Sequence, residues 1–312
     1  MNRAAQLRLQ PQQKLQTHPQ FQRYLAGEPV YPIGMEISPS GVCNATCEFC
    51  FYAGTADDQP GYHRKRFLKL TRTLEILDEA AYLGMKSITW TGGGDPSLSP
   101  YIHKFVDHVK DLRMEQGMFT NALAYPKYDP SKLSWIRITM TDKKAKPEYI
   151  KMLRPAKALG FAFNYSGPQD IPYLWETLHL AEDVMADYVQ VRPALAFSGK
   201  TVNIEPPTIE HPLLHVTGYK FDEARKPHGY KKCEAYHFVP FLWENGDVDV
   251  CAYMQKWEGY NLGNIYRDRL REILSHAPAS VPVAPMCQVC CKLHEMNQAI
   301  HSARALEDVN FP

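Results

Sequence analysis

Cys43-Asn44-Ala45-Thr46-Cys47-Glu48-Phe49-Cys50 sets three thiols on one short stretch at the spacing C-x3-C-x2-C. A structural zinc site takes four N/S ligands, often as two C-x2-C pairs. Here the next cysteine is Cys233, so the loop offers three thiolates and no near fourth. Soft sulfur ligands suit iron–sulfur clusters, and three protein ligands leave one iron of a four-iron cube open to a small molecule. The competing readings are a three-cysteine zinc loop and plain buried thiols.

With the aromatic Phe49 directly before its third cysteine, the motif resembles the signature of the radical S-adenosylmethionine superfamily. The resemblance implies that Cys43, Cys47 and Cys50 hold a [4Fe–4S] cluster whose open iron binds the amino and carboxylate groups of S-adenosylmethionine. Reductive cleavage of the sulfonium then gives a 5′-deoxyadenosyl radical, which takes a hydrogen atom from substrate. It also implies a reductant such as flavodoxin or ferredoxin. Oxidoreductase, isomerase and lyase outcomes all stay open.

The 312 residues allow one large domain, or one large and one small. A net charge of +1 gives no electrostatic case for a duplex nucleic-acid partner. No apolar run approaches the roughly eighteen residues of a membrane span, and the N-terminus lacks a signal-peptide core. A cytoplasmic protein is expected, with its eight cysteines used for metal or catalysis rather than disulfides.

Residues 1–29 are rich in glutamine with sparse apolar positions, which predicts a loose or helical arm on the main domain, too short for a peptide-recognition domain. Over 30–200, strands are expected at 30–36, 87–91, 118–121, 135–140, 161–166 and 188–194. Helical spacing is expected at Leu70–Ala81, at Ile102–Leu112, over 148–159 despite Pro155, and at Leu174–Met185. Gly84, Gly117 and Gly160 read as helix stops before strands. Six βα units are too few for a closed eightfold barrel, so the expectation is an α/β fold with a partial (β/α)6 barrel, its chemistry at the C-terminal strand ends. Proline-rich 201–232 reads as a linker, and 233–312 as a small separate domain holding five of the eight cysteines.

Gly92-Gly93-Gly94-Asp95-Pro96 follows the second strand. Glycines let backbone approach a ligand with no Cβ in the way. Gly93-Gly94-Asp95-Pro96 resembles the superfamily's Gly-Gly-Glu-Pro motif, which accepts hydrogen bonds from the amino group of the cosubstrate, with aspartate here in place of glutamate. The resemblance also offers Thr139 and Thr141, at the fourth strand end, for the ribose hydroxyls; strand filler is the alternative. Asn164 on the fifth strand has similar standing. Gln190 and Arg192 share a face of the sixth strand, and Arg192, costly inside a barrel unless paired, could bind a carboxylate or form a structural ion pair. Arg192 and Tyr165 are the candidates for a catalytic role; His228, Tyr230, Tyr236, Tyr253 and His294 are further substrate-side candidates. The basic run His63–Arg66 reads as solvated surface.

Toward the C-terminus, Cys233 and Cys251 flank an expected hairpin turning at Asn245-Gly246, and Cys287 and Cys290 form C-x2-C. By spacing alone these four thiols fit zinc as well as iron–sulfur. The pattern C-x12-G-x4-C, a gap, then C-x2-C resembles the twitch domain, a shortened SPASM domain, which implies an auxiliary [4Fe–4S] cluster on Cys233, Cys251, Cys287 and Cys290, with Cys291 spare. The expected substrate is a small polar molecule such as a sugar, nucleoside or modified base. The alternatives are maturation of a ribosomal peptide and a non-enzymatic zinc-stabilised binding module.

Overall fold

The computed structural model describes residues 11–47, 50, 66–141, 144–195, 203–255, 257–284, 287 and 293–305. Phe49, Cys290, Cys291 and His63–Lys65, all named above, lie outside them.

Two short helices, α1 (Pro11–Gln16) and α2 (Pro19–Leu25), come first. The His18 ring accepts from the Gln20 N–H and Pro19 opens α2, a start that needs no amide hydrogen. Strands β1 (Gly34–Ile37), β2 (Ser87–Trp90), β3 (Glu115–Thr120), β4 (Trp135–Thr139), β5 (Leu159–Tyr165) and β6 (Tyr188–Pro193) then pair in parallel, each with the next in chain order. Helices α3 (Leu70–Tyr82), α4 (Ile102–Asp111), α5 (Pro147–Met152) and α6 (Ile171–Asp183) follow β1, β2, β4 and β5, while only a single 3-10 turn, Pro130–Lys132, stands between β3 and β4. Alternate strand residues, among them Ile37, Ile88, Trp90, Ile136, Phe161 and Val191, share a buried core with the apolar stripes of these helices, such as Ile76, Phe105 and Leu174. The other strand face is concave. Its edges do not meet: β1 pairs outward with β9 (Phe241–Leu242), and β6 with β7 (Leu214–Val216). The six strands therefore form an open, partial barrel, although the helix that a (β/α)6 repeat implies between β3 and β4 is absent.

Gly84 ends α3 in the left-handed region, at φ 89. Gly117 and Gly160 differ from expectation: they lie inside β3 and β5, while Arg113 and Met185 take positive φ after α4 and α6. Their reason is packing. A Cβ on Gly117 would stand 1.9 Å from the Trp135 ring, and one on Gly160 2.2 Å from the Tyr188 ring. With Phe119, these rings surround the Arg137 guanidinium at 5.3 to 5.6 Å, and Arg137 Nε donates to the Tyr188 hydroxyl at 3.1 Å. This cluster sits near the N-terminal ends of β4 and β6, on the strand face opposite the core. The helix expected over 148–159 stops at Met152, since Leu159 already begins β5 and residues 153–157 must turn back to it.

Within 203–232, expected as linker, β7 adds a seventh parallel strand by pairing with the open edge of β6, and α7 (Gly218–Ala224) packs behind it, burying Phe221. The expected hairpin forms as β9 and β10 (Asp247–Asp249) around Gly246 at φ 88, and continues into β11 (Asn261–Asn264). Its first strand lies parallel to β1, so one sheet of ten strands runs from β11 to β7 among the described residues. After β11 comes α8 (Leu270–Ser275). Lys232–Cys233 (β8) pairs with Val281–Pro282 (β12), and α9 (His294–Arg304) ends the described chain. The N-terminal helices rest on this last region, with Leu15 and Phe21 in one apolar cluster with Phe238, Leu293 and Ile300. No helix among the described residues is long and apolar enough to cross a membrane.

Candidate functional site

The cysteine loop leaves the C-terminal end of β1, and the glycine run leaves the neighbouring end of β2. Parallel pairing of these strands brings the two segments side by side. The backbone then continues the ladder beyond the strands: Thr91 N–H donates to Ile37 O at 2.9 Å, Gly94 N–H to Ser40 O at 3.0 Å, and Asp95 N–H to Val42 O at 2.8 Å. A Cβ on Gly94 would meet Val42 O at 2.1 Å. That glycine is thus required by the peptide leading into Cys43, before any ligand is considered.

Cys43 is exposed, and Cys47 and Cys50 are partly so. Within the loop Cys50 N–H donates to Cys47 O at 3.0 Å. Although the residue is exposed, the partial covering of its sulfur pushes the Cys43 thiol up, as do the charges of Asp95 and Cys50; the Ala45 and Asn44 amides oppose this. Asn121 Nδ2 approaches Cys43 Sγ at 3.8 Å and donates to Asn44 Oδ1 at 2.8 Å. Three thiols on one loop, with N–H donors turned toward Cys43 Sγ, are a donor set that fits a thiolate-bound cluster, whose properties such hydrogen bonds tune. Among the described residues no three His, Cys, Asp or Glu side chains converge on a single-ion site.

Asp95 is 4% exposed. Its carboxylate accepts from Ser97 N–H and Oγ, from Thr120 Oγ1 at 3.1 Å, and from Asn121 N–H at 2.6 Å. Burial raises its pKa, and these hydrogen bonds pull it back. The aspartate side chain is therefore committed to tying the end of β3 to the end of β2, and only the backbone of the motif remains for a ligand. Asn121 and Thr120 were missed by the sequence reading. Their one signal is a polar pair at a parallel strand's C-terminal end.

On the concave face, alternation places Thr139, Asn164, Gln190 and Arg192 opposite the core-facing Ile138, Phe163, Val189 and Val191. Arg192 Nε donates to Asn164 Oδ1 at 2.9 Å, its partner across the β5–β6 register, and Gln190 Nε2 donates to Thr217 Oγ1 at 3.0 Å. Thr141 is buried just past β4, where its carbonyl accepts from the Tyr173 hydroxyl at 2.6 Å. Tyr165 falls on the other face: it is 3% exposed in the core between sheet and helices, with its ring centroid 6.4 Å from that of Phe221. One residue of strand period separates it from Asn164 and turns it away from the barrel interior.

A second cysteine site lies in the C-terminal region. Cys233, Cys251 and Cys287 line one cavity together with Tyr253, Tyr260 and Asn297. Strand pairing of Cys233 with Val281 and the β9–β10 hairpin bring these distant positions together. Asn297 Nδ2 donates to Cys233 Sγ at 3.2 Å. Burial, and then the Cys233 charge, push the Cys287 thiol up to about 12. Tyr230 also borders the cavity, and its hydroxyl is 3.0 Å from His294 Nδ1; His228 stacks on His294 at 4.1 Å. Tyr236 is buried, with its hydroxyl donating to Pro278 O.

Residues 37–185 match the Radical SAM superfamily. A stretch of 102 residues, 31% of this chain, is 33% identical to an S-adenosylmethionine-dependent nucleotide dehydratase of Flammeovirga pacifica, and spans 34% of that protein's length. Among solved structures, Streptococcus suis SuiB bound to precursor peptide SuiA superposes with a TM-score of 0.59 at 15% identity, over 83% of this chain and 68% of SuiB. SuiB bound to S-adenosylmethionine gives 0.57 at 16% identity, over 78% and 65%. At these identities the likeness is one of fold.

Proposed function

We propose that the chain, whose residues 37–185 match the Radical SAM superfamily, uses S-adenosylmethionine to abstract a hydrogen atom from a small polar substrate at the barrel mouth. Cys43, Cys47 and Cys50 would hold the [4Fe–4S] cluster, which when bound supplies the electron that cleaves the sulfonium. The observation that carries this reading is the backbone ladder joining 91–95 to 37–42, because it fixes the glycine run against the cysteine loop. Gly93 and Gly94 would receive the ammonium group on their carbonyls, with Asp95 holding their shape from behind. Thr139, Asn164, Gln190 and Arg192 would face the rest of the cosubstrate and the substrate across the concave surface.

The cavity of Cys233, Cys251 and Cys287 supports an auxiliary [4Fe–4S] cluster completed by Cys290, in a twitch-like region. Four cysteine ligands leave no open iron, so such a cluster suits electron acceptance and a net oxidation. Dehydration or rearrangement remains within the same reading. The dehydratase relative, by its name, acts on a nucleotide, which favours a nucleotide-like or other polar metabolite here. Peptide maturation is the second reading, and the peptide-bound SuiB structure shares this fold.

Iron analysis after anaerobic reconstitution tests both sites. About eight irons per chain are expected, falling to about four when Cys43, Cys47 and Cys50 are replaced by alanine, or when Cys233 and Cys251 are. About four in the wild type, unchanged by the second replacement, would leave the C-terminal site without its cluster.

A further inference from the structure

We propose that Glu244, on the turn of the C-terminal hairpin, is a positioning residue for the cosubstrate cradle: through the Ser38 hydroxyl it fixes the Gly93 peptide. The proposal rests on the reading above that Gly93 and Gly94 receive S-adenosylmethionine. Three observations carry it. Because β9 runs parallel to β1, Ser38 N–H donates to Leu242 O at 2.8 Å and Glu244 lands beside the first residues of the cysteine loop. The Gly93 N–H donates to Ser38 Oγ at 3.1 Å, and that hydroxyl has Glu244 Oε2 at 3.3 Å and Ser40 O at 3.2 Å as acceptors for its single proton. Ser38 is 0% and Glu244 1% exposed, so neither contact is exchanged with solvent.

The chain is also shaped around this contact. A Cβ on Gly92 would stand 2.8 Å from Gly94 O and 2.9 Å from Ser38 Oγ, so a glycine there leaves room both for the turn and for the hydroxyl to reach the next amide. Glu244 Oε1 is buried and finds no hydrogen-bond partner among the described residues. A buried carboxyl with an unused oxygen is costly. Burial opposes its charge; its own amide, the Ser38 hydroxyl and then Arg66 favour it, and Asp247 opposes it. The consequence is that cosubstrate affinity of the barrel depends on a residue of the C-terminal region, more than 140 positions after the motif it supports.

The test uses anaerobically reconstituted full-length protein and titration with S-adenosylmethionine, followed by the change it makes in the electron paramagnetic resonance of the reduced cluster. Glu244→Ala should raise the dissociation constant by about tenfold, the loss of one buried hydrogen-bond partner, while iron content stays at the wild-type level. Glu244→Gln, which keeps an oxygen for the Ser38 proton, should recover most of the affinity. Ser38→Ala should weaken binding as Glu244→Ala does, and the double variant should be no weaker than either. If Glu244→Ala fails to fold, Ser38→Ala decides alone. Wild-type affinity in the alanine variants, equal losses in Glu244→Ala and Glu244→Gln, or additive losses in the double variant would overturn the proposal. Failure of the wild type itself to bind iron or cosubstrate would instead overturn the functional reading on which it rests.

Discussion

Asp95 and Glu244 are two buried carboxyls beside the same glycine run, and they differ in how fully they are satisfied. Asp95 accepts on both oxygens from Ser97, Thr120 and Asn121. Asp95→Asn would turn an amide NH2 toward one of these donors, so it should destabilise the fold by about 2 kcal/mol, read by chemical denaturation. Glu244 is raised by burial from its ordinary 4.5 to about 7. The folded state therefore holds this proton more tightly than the unfolded chain. The stability so gained is full below the lower value and is lost as pH rises through the higher one, up to about 3 kcal/mol. Glu244→Gln cannot ionise, so relative to wild type it should gain stability between pH 5 and pH 8. A constant difference across that range would contradict the assignment. At this scale the motifs were legible because C-x3-C-x2-C and the glycine run are local patterns. The side-chain partners were not: Ser38 and Glu244 are 206 positions apart, and Asp95 and Asn121 meet only because β2 and β3 are neighbours.

Among the elements, the helices and strands of the barrel were readable from their periods of 3.6 and 2. The glycines show where pattern reading fails. Gly84 does end a helix, but Gly117 and Gly160 make room for the rings of Trp135 and Tyr188 on neighbouring strands. No spacing within a segment announces a neighbour's ring. Gly117→Ala should accordingly cost about 1–3 kcal/mol by overpacking against Trp135, measured as a lower denaturation midpoint; a neutral result would show that the ring cluster around Arg137 yields easily. The three residues of β7 were hidden for another reason. A strand so short, among prolines, has no periodicity, and it forms because β6 offers an unpaired parallel edge.

For the whole molecule, one sheet carries both cysteine sites. The first lies at the end of β1, and the hairpin that positions Cys251 is the strand pair hydrogen-bonded to β1's other edge. The sequence marked two cysteine sets and suggested two units; it did not show that they share a sheet, because β9 contributes only two paired residues. It also did not show that the N-terminal helices cover the second site's apolar cluster, with Phe21 against Phe238 at 6.2 Å. The barrel and the C-terminal region are thus joined through the β1–β9 pairing of one sheet. The most direct test of the central claim is 5′-deoxyadenosine formation by the reconstituted, chemically reduced protein supplied with S-adenosylmethionine. The wild type should form the nucleoside, and the protein in which Cys43, Cys47 and Cys50 are alanine should form none; an iron-replete wild type that leaves S-adenosylmethionine intact would rule out the proposed function.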